Sequence, residues 1–394
     1  MEYKPLGSMV NRKIGYGIVQ PGQSVPDGVP VIKVNNLISG LKSPSELDTT
    51  ARENEAKYSR TRLHGGELIV SVVGTIGKTA IVPKSFAGCN LVRATALIDI
   101  EDELMSKWVK YYFDSPCGQS YIEQNLNTTV QPTLNIKSLV EMPIPIRDTT
   151  EMEKNVLLLS ALDEKIEVNR QINDNLLAQA KVIKKQWVAT NEDGYEMLPL
   201  ADVAAINPDT YSPKEAWEYV NYLDTSSITD GFIADVQHIV PSSEKLPSRA
   251  RRKVAAGDVL FSTVRPNQKH FGIISDPLPN MLASTGFADI RSKSPLVCNE
   301  LIYLCLTEGD FIEKMQQLAE QSTSTFPSIK PSDLGACQIP CPKGESSDVF
   351  TDTLKSLFSL IAANFLENNS LGAMRDALLP KLMSGEIDVS AVQL

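Results

Sequence analysis

Hydrophobic and polar positions along this chain follow two periods. From Leu162 the spacing alternates between four and three through Ile166, Asn169, Asn173, Leu176, Ala180, Ile183 and Trp187. The same rhythm returns at Leu357, Ile361, Asn364, Asn368, Leu371, Arg375, Leu378 and Leu382. A repeat of about 3.5 residues keeps one stripe of a helix turned towards a partner, so both segments are predicted as long helices with a seam. Elsewhere the pattern is that of strands. Glu67–Val73 and Asp258–Val264 are apolar, β-branched runs that follow Gly66 and Gly257, as expected of buried strands leaving a turn. Amphipathic spacing predicts further helices over 104–114 and 299–319.

The first five seam positions are identical in the two segments and lie 195 residues apart. Shorter echoes accompany them. Pro5-Leu6-Gly7 answers Pro199-Leu200-Ala201, Pro132-Thr133-Leu134-Asn135-Ile136 answers Pro327-Ser328-Ile329-Lys330-Pro331, and Ile144-Pro145 answers Ile339-Pro340. The expectation is an α+β chain with an internal two-fold repeat. One globular domain spans 1–150, a spacer helix 151–190, a second domain 191–346, a second spacer helix 347–383, and a tail 384–394. Thr150 with Glu153 has the form of a capping box at the first helix start. Pro380 is expected to kink or end the second helix, and Gly385 to stop it. An isolated helix with two Asn in its seam is marginal in water and wants a partner. The other copy is the obvious one, and seam Asn lowers stability while fixing register. Two alternatives remain at this point: a seam through Ile172, and helices that pack only on their own domains. An exposed helix face could also dock further helical partners.

Composition narrows the class. With 42% hydrophobic residues in 394, the chain can build real cores. No run of 18 apolar residues occurs and the N-terminus lacks a signal-peptide core, so a cytoplasmic protein without a membrane span is expected. Six cysteines form no C-x-x-C pair and no zinc set, which fits reduced thiols. The net charge is −10, but residues 1–150 carry 16 basic and 15 acidic groups while 191–346 carry 13 and 21. That balance argues against a protein that coats nucleic acid by itself.

Candidate chemistry is sparse. Val73-Gly74-Thr75-Ile76-Gly77-Lys78-Thr79 ends like a phosphate-binding loop, yet the position that needs the first Gly holds Val72. A nucleotide-binding enzyme using this loop is therefore an alternative; a tight glycine turn with Thr75 and Lys78 placed to touch a phosphate is the simpler reading. His64, His238 and His270 are isolated, and no nucleophile elbow or carboxylate pair is recognisable, so no catalysis by this chain is expected. What remains is recognition hardware. Arg60 and Arg62 precede the first strand, and Arg249, Arg251, Arg252 and Lys253 the second; Lys78 follows one, and Arg265, Asn267, Lys269 and His270 the other. Arg forks onto guanine, Asn and Gln onto adenine, and Ser, Thr and Lys onto phosphate. Two hydroxyl- and amide-rich stretches add Thr128, Thr129 and Gln131, and Thr323, Ser324 and Thr325. Read blandly, all of these are solvated turns, and the chain is a coiled-coil interaction protein.

At this point the chain resembles the DNA-specificity subunit of Type I restriction–modification systems. The resemblance is carried by Tyr16-Gly17-Ile18-Val19-Gln20-Pro21-Gly22, by Val73 to Lys78, by Gly257 to Pro266, by the two Asn-bearing helices and by the tail Leu378 to Ile387. It implies two target-recognition domains, each reading half of a split double-stranded DNA site, and helices paired as an antiparallel coiled coil that acts as a spacer. It implies docking of two modification (methyltransferase) subunits that bind S-adenosylmethionine, then of restriction–translocation subunits that use ATP and Mg, with no cofactor in this chain itself. Leu162 to Trp187 amounts to roughly 39 Å of helix, comparable with the roughly 34–36 Å of one DNA turn.

Overall fold

The computed structural model describes residues 2–41, 43–127, 132–322, 326–343, 348–387 and 389. Its principal helices are α1 (Glu103–Asp114), α2 (Thr149–Thr190), α3 (Asn299–Leu306), α4 (Gly309–Glu320) and α5 (Asp348–Ser384). Internal contacts divide the chain into two units, residues 1–166 with 369–394, and residues 167–368.

In the first unit the central sheet comprises β1 (Arg12–Tyr16), β2 (Leu68–Ser71), β3 (Thr79–Ile81) and β4 (Thr95–Asp99), in the order β1-β4-β2-β3. β2 is buried at every position, which is why its sequence is a continuous apolar run and not an alternating one. Asp102 caps α1, accepting from Leu104 N at 2.9 Å. The helix then sets Trp108, Val109 and Phe113 against Leu68, Val70 and Ile98. Trp108 Nε1 donates to Pro145 O at 2.7 Å, so burying the indole leaves no orphan donor. Pro145 lies on a strand, Pro143–Ile146, that pairs antiparallel with Glu2–Pro5, joining two of the short sequence echoes. Leu379, Leu382 and Met383 of α5 complete this core. Between α1, α2 and α5, Asp163 receives Arg375 Nη1 at 2.8 Å, Tyr111 Oη at 2.9 Å and Lys110 Nζ at 3.3 Å. Burial alone would raise the Asp163 carboxyl, but Lys110 and Arg375 hold it below the usual range.

The second unit has a central sheet of β5 (Ala204–Ile206), β7 (Asp258–Ser262), β8 (Phe271–Ile274) and β9 (Phe287–Ser292), in the order β5-β9-β7-β8; β6 (Ala250–Lys253) lies at the edge of a separate sheet. Strand Tyr195–Pro199 pairs antiparallel with Gln338–Pro342. The core gathers Val259, Phe261 and Ile290 with Leu301, Ile302 and Leu304 of α3, and with Ala180, Phe350, Leu354 and Phe358 of the long helices. Trp187 stacks on Phe350 with ring centroids 4.3 Å apart. Two polar layers follow. Asn169 Nδ2 donates to Asn368 Oδ1 at 2.9 Å, and Asn364 Nδ2 donates to Asn173 Oδ1 at 2.7 Å. Asn169 is fully buried and Ile172 is exposed, so contact runs through the Asn positions and not through the alternative stripe.

Several local expectations are corrected. The helix expected over 299–319 is two helices. Thr307 Oγ1 turns back onto Tyr303 O at 2.7 Å, and the chain restarts at Gly309. At the start of α2 the cap is Asp148, whose Oδ1 accepts from Thr150 N at 3.0 Å, and not Thr150. α5 runs past Pro380 to Ser384; Gly385, with φ +77°, then ends it as expected. α5 also contains an 18-residue window of mean hydropathy 1.2, apolar enough by length and composition alone to cross a membrane, which the sequence reading did not expect. Phe350, Leu354 and Phe358 at one end of α5 pack into the core of the second unit, and Leu379, Leu382 and Met383 at the other into that of the first, while only 22% of the apolar window itself is buried.

Candidate nucleic-acid interface

Each central sheet contains a hairpin turn with the same closure. Ser71 N donates to Lys78 O at 2.8 Å, and Ser262 N donates to His270 O at 2.8 Å, each sealing the base of a turn. The turn backbone is tied on its flanks as well. Val72 donates to Ala94 O and accepts from Leu134 N, at 2.8 and 3.0 Å; Thr263 donates to Gly286 O and accepts from Ile329 N, at 2.8 and 2.9 Å. Neither turn opens an α-helix: Lys78 is followed by β3, and the second turn holds only the 3-10 segment Pro266–Gln268 before β8. The helix N-terminus on which a nucleotide-binding phosphate loop depends is therefore missing there.

Left-handed backbone appears at both ends of each turn. In the first it is taken by Gly74 (φ +80°) and Gly77 (φ +83°). In the second it is taken by Arg265 (φ +47°) and Lys269 (φ +55°). A side chain in this region costs on the order of 1–2 kcal/mol per residue, and such strain gathers at functional sites. Both residues are exposed cations without an ion pair among the described residues. Arg265 lies 5.1 Å from the Phe326 ring centroid, and its N–H donates to Pro327 O at 3.0 Å. Asn267 N reaches Gln316 Oε1 at 3.3 Å, and His270 Nδ1 lies 2.6 Å from Ile228 O, so the turn is held from both sides.

The other candidates divide by what they touch. Thr75 and Lys78 are exposed on the first turn, and Arg60 is exposed beside the sheet. Arg62 forks onto the buried Glu55, with Nε to Oε1 at 2.8 Å, and Glu55 also accepts from Asn90. Arg249 is exposed, and its carbonyl accepts from Thr285 N, next to Gly286, whose carbonyl ties the flank of the second turn. Arg251 Nε donates to Ser248 O at 3.2 Å. Arg252 points inward; its Nε is buried without a partner, and burial draws its guanidinium below the ordinary value. Lys253 pairs with Glu215 at 2.6 Å and lies over Trp217. Thr128, Thr129, Gln131, Thr323, Ser324 and Thr325 lie outside the described residues.

Sequence reasoning missed three arginines. Arg12 binds Glu67 at 2.6 Å and Asp99 at 2.5 Å, and Arg291 forks onto the buried Asp258 at 2.7 and 2.8 Å and reaches Asp209 at 2.8 Å. Each knot pins the entry of a central strand. The third is Arg93, exposed and adjacent to Ala94, whose carbonyl holds the first turn; it has no ion pair among the described residues. No local motif marks it. Beside the second knot, Asp289 is buried with neither carboxyl oxygen hydrogen-bonded. Burial first, and then the neighbouring Asp258, push it up to about 8. Among the described residues no three His, Cys, Asp or Glu gather as a metal site.

Residues 2–178 match the Type I restriction modification DNA specificity domain family. Over 206 residues the chain is 29% identical to the Type I restriction enzyme EcoBI specificity subunit of Escherichia coli, covering 48% of this chain and 43% of that protein. It is 22% identical over 311 residues to the MjaIX specificity subunit of Methanocaldococcus jannaschii, covering 73% and 71%. The match thus spans under half of the Escherichia coli relative. A crystal structure of the Type I restriction–modification S subunit of M. genitalium is similar at a TM-score of 0.49 and 17% identity, over 96% of this chain and 95% of that one.

Proposed function

We propose that this chain is a member of the Type I restriction–modification DNA specificity family and the non-catalytic subunit that selects the DNA sequence for a methyltransferase and nuclease complex, a reading supported by the family match over residues 2–178. It is a duplicated protein. Each copy contributes one target-recognition domain, and each domain reads half of a two-part site in double-stranded DNA. The observation that carries this reading is the pair of hairpin turns, tied identically at the base and flanks but chemically different at the tip. A scaffold held constant around an altered tip is what two readers of different sequences need. The matching order of the two central sheets supports the duplication.

The contacts in the first reader are Thr75, Lys78, Arg93 and Arg60, together with Thr128, Thr129 and Gln131 on the strength of their residue types alone. In the second they are Arg265, Asn267, Lys269, Arg249 and Arg251, with Thr323, Ser324 and Thr325. Arg62 and Lys253 act mainly by holding neighbouring loops, because their partners are already inside the fold, and Arg252 is turned inward with its Nε buried. α2 and α5 pair antiparallel as a coiled coil and serve as the spacer; the Asn169–Asn368 and Asn173–Asn364 bonds support that register. Exposed Val168, Ile172, Val182, Leu360 and Leu366 offer apolar surface for two modification subunits, to which restriction–translocation subunits add. S-adenosylmethionine, ATP and Mg belong to those partners.

The test is adenine-methylation mapping in cells with and without this chain, supplied with its methyltransferase subunits. A split motif that vanishes with the chain is the expected result, and a single contiguous motif, or no change, overturns the reading. Inserting four residues near Ala178 is expected to change the gap between half-sites or abolish methylation.

A further inference from the structure

The repeat makes each long helix a near copy of the other, so an α2 helix could meet a second chain's α2 helix as well as its own α5. The Asn layers do not prevent this. Asn169 bonds Asn368 and Asn173 bonds Asn364. Their repeat equivalents, 195 residues away, are again Asn. Asn169 of one α2 would simply find Asn173 of the other. Two further layers are different. In the first unit Asp163 meets Arg375, with Lys110 and Tyr111 closing the cluster. The equivalent positions in the second unit are Phe358 and Ala180, which share an apolar core where Phe358 meets Tyr303 edge-on at 5.6 Å. One turn further, Lys184 is buried against Glu308 at 2.7 Å in the second unit, while its equivalent Leu379 is buried in the core of the first.

Consider two α2 helices brought together. Asp163 would face Ala180 and lose Arg375. Lys184 would enter the site of Leu379, away from Glu308. Two α5 helices would set Arg375 against Phe358. Each like pairing takes one partner from a partly buried charge, leaving Asp163 with Lys110 and Tyr111 alone and Arg375 with Asp376 alone, and removing one partner of such a pair costs more than the pair contributes. Specificity between similar partners commonly rests on this kind of penalty.

We propose that the Asp163–Arg375 and Lys184–Glu308 layers, and not the Asn layers, are a pairing code that admits α2 with α5 and rejects a like helix from a second copy of this chain. The inference rests on the duplication proposed above. It keeps two different readers together where the near-identical seams would otherwise also allow two equal ones.

The test uses full-length chains carrying two different affinity tags, mixed in urea and refolded together at about 1 and about 50 µM, concentrations chosen because association follows mass action. Capture on one tag and quantification of the other measures exchange, and native mass spectrometry gives the stoichiometry. Asp163→Phe with Arg375→Ala and Lys184→Leu makes both layers alike in the two copies. This variant is expected to cross-pair at the higher concentration about tenfold more than wild type, a difference of about 1.4 kcal/mol. Asp163→Glu with Arg375→Lys keeps the charges and is expected to behave as wild type. Simple exchange of α5 between chains preserves the code, so it appears equally in all three proteins and is subtracted by the comparison. A triple variant that refolds with wild-type circular dichroism and does not exceed wild-type exchange overturns the proposal. If the triple variant does not refold, Asp163→Leu with Arg375→Ala is judged by the same ratio. No readout involves DNA, so this result and the sequence-reading function fail independently.

Discussion

Replacing Arg265 and Lys269 by glycine separates the cost of the second turn from its use. Both residues occupy left-handed backbone, at φ +47° and +55°. Relieving that conformation returns about 1–2 kcal/mol at each site, while glycine adds roughly 0.5–1 kcal/mol of unfolded-chain entropy. The double variant is therefore expected to be equal to, or up to about 3 kcal/mol more stable than, wild type in urea unfolding. Binding moves the other way. Each phosphate contact contributes about 0.9 to the slope of log affinity against log salt. Losing two cuts the slope by about 1.8, so between 50 and 200 mM salt the wild-type complex loses roughly 12-fold more affinity than the variant complex. The assay is fluorescence anisotropy of a duplex bearing the methylated motif, titrated with the assembled methyltransferase complex at several salt concentrations. A variant that is markedly less stable, or whose salt slope is unchanged, refutes the argument that the turn is strained in order to present two cations to DNA.

Asp289→Asn bears on pH. A carboxyl raised to about 8 in the folded state holds its proton where the unfolded chain has released it, so this group lowers stability as pH rises from about 4 to 8, by up to about 1.4 kcal/mol per unit. The urea midpoint of the Asn variant, relative to wild type, should climb over pH 5 to 8 and level off above; a pH-independent difference refutes this. Arg12→Leu leaves the buried Glu67 without its cation and should destabilise the first unit by about 2–4 kcal/mol, read as an earlier unfolding transition. Arg93→Ala should reduce affinity for the half-site read by the first unit and leave the second half-site preference intact, as scored by competition with singly mutated duplexes. Equilibrium dialysis of the lone chain against ATP should give no binding, because the Lys78 turn leads into a strand; clear retention would revive the nucleotide reading.

The elements set by local pattern were legible. The seam periods located both long helices, and the β-branched runs after Gly66 and Gly257 located β2 and β7. Misreadings arose where a local rule met a competing partner. Asp148 displaced Thr150 as the cap, and Thr307 broke the amphipathic run before Gly309. Within the candidate site, periodicity could flag cations but not their partners. Arg62 and Glu55 are seven residues apart, Arg12 and Glu67 fifty-five, Arg291 and Asp209 eighty-two. Whether an arginine serves the fold or faces solvent is decided by these closures, and none is periodic. Arg93 illustrates the reverse: its relevance arises only from the hydrogen bond made by the residue after it.

The serine closures of the two hairpins have an evolutionary corollary. Between Ser71 and Lys78 the chain has six intervening residues, and between Ser262 and His270 it has seven. The strands on either side keep their register in both units. A one-residue difference in turn length is thus accommodated without disturbing the sheet, because the ties at base and flank insulate the tip. If the proposed function holds, a lineage could exchange one short cassette and acquire a new target while its fold is inherited unchanged.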